Sequence, residues 1–340
     1  MRRHRPTRTL VVLPDAPDPD AIAEAAAIIR RGGLVAFATE TVYGLGADAT
    51  SPQALRGIFA AKGRPSTNPL IVHVDSVDSA RPLAADWPDS AERLAARFWP
   101  GPLTLVLPKT PAIPDVATAG GPTVGLRVPR PRIARDLIAR SGVPIAAPSA
   151  NRSLGLSPTT ARHVAKSLDG RIDLILDSGP TAVGLESTVL DLTGNRALIL
   201  RPGTITAENL AEVLGDLPAI RSRSDEATVA RSPGQGDVHY APRTPAYLAS
   251  FEDLAQFDRP SRAGLLVLGA TGPAEMVAFG HRIELLSPEF AEPHFYDALH
   301  RLDEMAFDVL VIVPPPDTPQ WAAVRDRLLR ATRPPELRPW

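Results

Sequence analysis

Cysteine is absent from this 340-residue chain, and with it go disulfides, thiolate nucleophiles and cysteine-based metal sites. Aromatic residues are scarce at 5%, which leaves little for stacking on nucleic-acid bases. An excess of either charge is lacking as well. The 37 basic and 38 acidic residues give a net charge of -1 and a pI near 6.7, the wrong balance for a domain that coats nucleic acid. No apolar run approaches the length that crosses a bilayer. No signal-peptide core follows the basic opening Met1-Arg2-Arg3-His4-Arg5, so a cytoplasmic location is expected. Lysine is the most telling scarcity: it stands only at 62, 109 and 166, and every other basic residue is Arg. A chain so biased toward Arg has kept a compact ammonium at 62, two residues before the planar fork of Arg64, and the two are not interchangeable at a site.

What remains is an ordinary globular composition, 44% hydrophobic and 22% charged, long enough for two domains. Helix is expected over 20–31, with Asp20 as its cap and Gly32-Gly33 as its stop. A second begins at Ser51-Pro52 and ends at Gly63, so Lys62 and Arg64 flank its C-terminus and project into the loop before a strand at 69–74. Further strands are expected at 34–39, 103–107, 124–128, 143–147, 174–176, 188–192 and 197–200, with helices near 90–98, 133–140, 160–168 and 207–214. Consecutive strands break any simple βαβ repeat and predict a mixed, twisted, open α/β sheet whose helices frame a concave site. Residues 218–245 are rich in Pro, Gly and charge, and read as a linker or lid. From 246 to 340 strands alternate with helices, the pattern of a small parallel α/β domain.

The densest chemistry lies in Phe37-Ala-Thr-Glu-Thr-Val-Tyr-Gly-Leu-Gly46 and Lys62-Gly-Arg-Pro-Ser-Thr-Asn-Pro-Leu-Ile-Val-His73. Hydroxyls, two fixed cations, an amide and an imidazole suit the capture of a small zwitterion beside a polyphosphate. No glycine pattern matches a Walker A loop or a dinucleotide fingerprint, so a nucleotide must be held by another device. Polar groups beyond strand ends supply one: Ser149 and Asn151, Glu186-Ser-Thr188, and Arg201 before Pro202-Gly203. Arg127 lies inside a strand, where a charge needs a partner. Taken singly, each has an everyday explanation. Ser-Ala-Asn makes turns, His73 could be a satisfied core histidine, Arg127 could be a structural ion pair, and Tyr43 packs. Together they do not reduce to that.

Seven blocks in order, among them Trp-Pro-Gly-Pro-Leu-Thr104, Ala-Pro-Ser-Ala-Asn151 and Leu-Arg-Pro-Gly203, resemble the YrdC-type threonylcarbamoyl-AMP synthases in their two-domain form. The resemblance implies a catalytic domain at 1–217, a linker or lid at 218–245 and a C-terminal domain at 246–340. It implies an enzyme, a nucleotidyltransferase of tRNA processing, that joins L-threonine, bicarbonate or CO2 and ATP into threonylcarbamoyl-AMP and pyrophosphate. A separate transferase complex would then modify the adenosine 3′ of the tRNA anticodon, with at most weak tRNA contact by this chain and no membrane. Carried over residue by residue, the catalytic set is Lys62, Arg64, Ser149 and Asn151. Threonine would meet Thr41, His73, Arg127, Ser149 and Ser187. ATP would meet Lys62, Arg64, Asn68, Thr123, Asn151, Ser157 and Arg201, with Mg2+ on its phosphates and no protein ligand to the metal, while His239 and Tyr240 close over it. Arg127 is expected to clamp the threonine carboxylate with two parallel bonds. Small hydroxyls would read the substrate's own polar groups.

The family's linker commonly carries Met-Lys-Tyr-Arg where this chain has Gln235-Gly-Asp-Val238, and that exchange is expected to give a more mobile lid with weaker hold on ATP. Two other readings compete. A nucleic-acid-binding module of the same fold, without catalysis, is disfavoured by the neutral charge and few aromatics. A carbamoyl transferase of hydrogenase maturation would bring Cys-rich segments that are missing here.

Overall fold

The computed structural model describes residues 6–221, 240–254, 257, 262–270 and 279–338. The Gln235–Val238 exchange and His239 lie outside them. The described chain forms two compact units. The first takes 1–153, 158–182 and 186–235; the second takes 154–157, 183–185 and 236–340.

In the first unit the strands are β1 (Arg8–Val11), β2 (Val35–Ala38), β3 (Tyr43–Asp48), β4 (Ile71–His73), β5 (Leu103–Pro108), β6 (Thr123–Arg127), β7 (Ile145–Ala146), β8 (Leu174–Asp177), β9 (Thr188–Asp191), β10 (Leu198–Arg201) and β11 (Ala219–Ile220). They form one sheet in the order β1-β8-β2-β3-β7-β4-β6-β5-β9-β10-β11. Parallel and antiparallel pairs mix in it, as the sequence pattern predicts. The helices are α1 (Pro19–Arg30), α2 (Pro52–Lys62), α3 (Val77–Ala80), α4 (Asp89–Phe98), α5 (Arg132–Ser141), α6 (Ala161–Leu168) and α7 (Ala207–Leu214).

Strand alternation sorts the core into two layers. Val35 and Phe37 of β2 join Ile22, Ile29, Ile133 and Leu137 of α1 and α5 on one face. Ala36 and Ala38 join Leu55, Ile58, Leu94, Val164 and Leu210 of α2, α4, α6 and α7 on the other. Each fully buried Leu or Ile contributes about 1.5–3 kcal/mol relative to exposure, so these faces hold the helices against the sheet. The cap of α1 is Asp18 rather than Asp20: its carboxylate accepts from Asp20 N, and Pro19 fills the first helical position, where no amide donor is needed. Helix α2 follows the sequence reading, with Ser51 accepting from Ala54 N and Gly63 in the left-handed conformation (φ 63°) that a C-terminal glycine supplies.

The second unit holds β12 (Ala246–Leu248), β13 (Ala263–Leu268), β14 (His281–Leu285) and β15 (Val309–Val313), all parallel in the order β12-β15-β13-β14. Helices α8 (Phe251–Leu254), α9 (Pro288–Glu304) and α10 (Ala322–Ala331) accompany them. A parallel α/β unit is what the alternation implied. Two segments of the first 217 residues belong here. Ala241 N donates to Leu154 O at 2.8 Å, and His300 Nε2 lies 3.1 Å from Ser157 O. Among the described residues no helix is long and apolar enough to cross a membrane.

Candidate active site

Three clusters in the first unit gather the polar residues. The first is built on the turn between β2 and β3. Thr39 Oγ1 donates to Val42 O at 2.7 Å and accepts from Thr41 N and Val42 N, locking the turn. Because that bond uses the single Thr39 proton, the 2.8 Å contact between the two hydroxyls must be donated by Thr41. Thr41 Oγ1 also accepts from Arg127 Nη2 at 3.0 Å. The Thr41 hydroxyl therefore has only acceptor capacity left for a ligand. Register places Arg127 on β6 directly beside His73 on β4. Burial first, then the Arg127 charge, pushes the His73 pKa down to about 3, so the ring is neutral at physiological pH. His73 Nδ1 is buried with no hydrogen-bond partner among the described residues.

Arg127 departs from expectation. Its Nε donates to Gly101 O at 3.2 Å, and its Nη2 lies 2.9 Å from Glu40 Oε1 in an ion pair whose side chains are 4% and 3% exposed. The side-on edge of the fork is committed within the protein, so a two-bond clamp through Nε and Nη2 is not on offer. Glu40, which the sequence reading passed over, sits inside the quoted Thr-Glu-Thr motif. That motif was the available signal, but nothing in it revealed a partner 87 positions away.

The second cluster centres on Lys62. Instead of projecting into the loop before β4, its ammonium turns onto the Ser149–Asn151 segment. It donates to Ser149 O, to Asn151 O at 2.5 Å and toward Asn151 Oδ1 at 3.4 Å. Lys62 is only 2% exposed. Burial, with Arg64 adding to it, presses its pKa well below the ordinary lysine value, while three oxygen acceptors hold the ammonium against that pressure. The Ser149–Asn151 segment is a tight turn, with Asn151 N donating to Ser149 O at 3.0 Å. Gly44 bridges to Ser149 and Ala150 N donates to Tyr43 O, which ties this turn to the start of β3. Arg64 wraps its own loop, donating from Nη2 to Pro69 O at 2.9 Å and from Nε to Asn68 O at 3.3 Å. Asn68 Oδ1 is buried and has no partner among the described residues.

In the third cluster Arg201 donates twice to Ser187 O and once to Ser187 Oγ, at 3.0–3.2 Å. Ser187 Oγ meets Thr104 Oγ1 at 2.8 Å. The segment 101–104 joins this cluster to the first, because Gly101 O takes Arg127 Nε and Pro102 O takes Thr188 N. Thr104 was missed too, although it closes a quoted motif. Tyr43 packs as expected and also donates to Gly179 O at 2.6 Å; burial, then Asp177, pushes its phenol above its usual range. Among the described residues no side-chain hydrogen bond links Thr123, at the start of β6, to these clusters. Ser157 and Tyr240 lie in the second unit. There the Tyr240 ring stands 6.0 Å from that of Tyr296, with the Arg327 guanidinium 5.4 Å from its centre.

Comparison with known proteins covers both units. The Sua5/YciO/YrdC family model, described as telomere recombination, matches residues 27–203, and the model described as threonylcarbamoyl-AMP synthase, C-terminal domain, matches 205–332. The threonylcarbamoyl-AMP synthase of Bacillus subtilis is 42% identical over 324 residues, covering 91% of this chain and 92% of its own. That of Pyrococcus abyssi is 42% identical over 322 residues, covering 91% and 93%. The structure of Pyrococcus abyssi Sua5 complexed with L-threonine matches at TM-score 0.87 and 38% identity, over 96% of this chain and 98% of that one. A variant of the same protein with an adjacent His and Tyr both replaced by Ala matches at TM-score 0.86 and 38% identity, covering 95% and 96%.

Proposed function

Because the chain belongs to the Sua5/YciO/YrdC family of threonylcarbamoyl-AMP synthases, we propose that it makes threonylcarbamoyl-AMP and pyrophosphate from L-threonine, bicarbonate or CO2, and ATP. Identity of 42% across nine-tenths of the chain, through both units, is the observation that carries this reading. The site chemistry agrees with it. The deprotonated amine of threonine adds CO2 to give a carbamate. A carbamate oxygen then bonds to the α-phosphorus of ATP as the bond to pyrophosphate breaks. No covalent enzyme nucleophile is needed, so the burden falls on positioning and on matching charge.

The threonine pocket is assigned to Thr41, His73, Arg127, Ser149 and Ser187. Uncommitted Nη1 of Arg127 takes the carboxylate, and Thr41, left with acceptor capacity alone, meets a donor, the threonine hydroxyl or its amine. His73, beside Arg127 in register and with its Nδ1 lacking a partner among the described residues, is assigned to the same ligand. Arg64, Asn68, Thr123, Asn151, Ser157 and Arg201 are assigned to ATP, the orphan Asn68 Oδ1 being suited to a donor such as an amino group. Lys62 fixes the Ser149–Asn151 turn, which carries one threonine contact and one ATP contact. By the family resemblance His239 and Tyr240 are assigned to ATP as well, and an adjacent His and Tyr are what the Pyrococcus abyssi variant replaces. Mg2+ is assigned to the ATP phosphates, whose oxygens suit a hard cation. The product then passes to a transferase complex that modifies the adenosine 3′ of the tRNA anticodon, in the cytoplasm. Incubation with labelled bicarbonate, ATP, Mg2+ and L-threonine tests the reading. Label retained in a product that carries both AMP and threonine is expected; retention without threonine, or none with it, refutes the assignment.

A further inference from the structure

We infer that Glu40, to which the resemblance gives no role, is a positioning residue that aims Arg127 at the threonine carboxylate and so sets the affinity for threonine. This rests on Arg127 taking that carboxylate. Both side chains are nearly sealed from solvent, at 3% exposure for Glu40 and 4% for Arg127, so neither charge is tolerable alone. Glu40 cannot swing away, because its second oxygen accepts from Arg130 N at 3.1 Å. Glu40 Oε1 makes no directional hydrogen bond, yet it stands 2.9 Å from Arg127 Nη2; the contact is an ion pair. With Nε on Gly101 O and Nη2 shared between Glu40 and Thr41, only Nη1 has no partner among the described residues. Arg127 thus presents one nitrogen, pointed by the carboxylate behind it. The charges agree with this arrangement. Arg127 and Glu40 cancel and His73 is uncharged, so these three residues carry no net charge before a zwitterion enters.

The test is a double-mutant cycle on the full chain, reading threonine-dependent pyrophosphate release and the apparent KM for threonine and for ATP separately. Glu40→Gln keeps the shape and an acceptor for Arg130 N but sets a donor against Nη2. It is expected to raise the threonine KM about tenfold or more while the ATP KM stays within about twofold. On the Arg127→Gln background the same change is expected to add nothing, because its effect passes through Arg127. Glu40→Asp, which keeps the charge and shortens the reach, is expected to fall between wild type and Gln, and it serves if the Gln variant does not fold. A Glu40→Gln effect that strikes both KM values alike, or that persists in full without Arg127, would overturn the proposal. An unchanged threonine KM in Arg127→Gln alone would overturn it differently, by removing Arg127 from the carboxylate.

Discussion

Lys62 closes α2 with its ammonium aimed at three oxygens of the Ser149–Asn151 turn, and that aim decides what a substitution there can do. A guanidinium is larger, planar and forked; at a site only 2% exposed it can neither fit the volume nor reproduce three convergent bonds. Lys62→Arg is therefore expected to lose about a hundredfold or more in kcat/KM, close to the loss in Lys62→Ala, with circular dichroism unchanged. Pyrophosphate-release kinetics on the two variants check this, and substantial activity in the Arg variant would count against it. That Lys62 matters was legible from the sequence, since so few lysines remain beside so many arginines. Its partners were not legible, because a carbonyl oxygen 87 or 89 positions away leaves no mark on the residue that carries it. Glu40 and Thr104 escaped for a related reason: their worth lies in which buried group they face.

At the level of elements, apolar strands such as β5 and β15 declared themselves by Val, Ile and Leu content, and α2 by its Ser-Pro opening and Gly close. Strand β3 did not, because Tyr43-Gly-Leu-Gly reads as a loop by propensity. Packing requires those glycines. A Cβ on Gly46 would come within 2.7 Å of Phe37 Cε1 and 2.9 Å of Ile145 Cγ2. In the second unit α9 starts at Pro288 and carries Pro293 inside it. Gly203 offers the sharpest test at this scale. A Cβ there would stand 2.4 Å from Thr188 N and 2.8 Å from Glu186 O, both backbone atoms that cannot yield without moving the Glu186-Ser187-Thr188 segment. Gly203→Ala is expected to cost about 1–3 kcal/mol by denaturant titration and to depress activity by displacing Ser187 from Arg201 and Thr104. Wild-type stability in that variant would contradict so close an approach.

Across the whole molecule the two units carry opposite pH responses. In the first, His73 is held near pKa 3 against 6.5 when unfolded, chiefly by burial and then by Arg127. The unfolded chain binds a proton there that the folded chain refuses, so stability falls as pH drops from about 6.5, by at most about 1.4 kcal/mol per pH unit. In the second, Glu292 is raised from 4.5 to about 7, first by burial and then by Glu289. Here the folded state holds the proton, so its contribution is present at low pH and is lost as pH rises from about 4.5 to 7. Calorimetric scans between pH 5 and 8 should show His73→Asn flattening the acid-side loss and Glu292→Gln removing the loss on the rising side; unchanged profiles in both would contradict these burials. Fold class was visible in the order of strands and helices. The inclusion of 154–157 and 183–185 in the second unit was not, since short segments carry no periodicity of their own.

The most direct test of the synthase reading is pyrophosphate release by the full chain with ATP, Mg2+ and bicarbonate, with and without L-threonine, beside Lys62→Ala. Release that requires threonine and collapses in the variant is the predicted result. Well-folded protein that releases no pyrophosphate in response to threonine would contradict the account and turn attention to binding, beginning with tRNA.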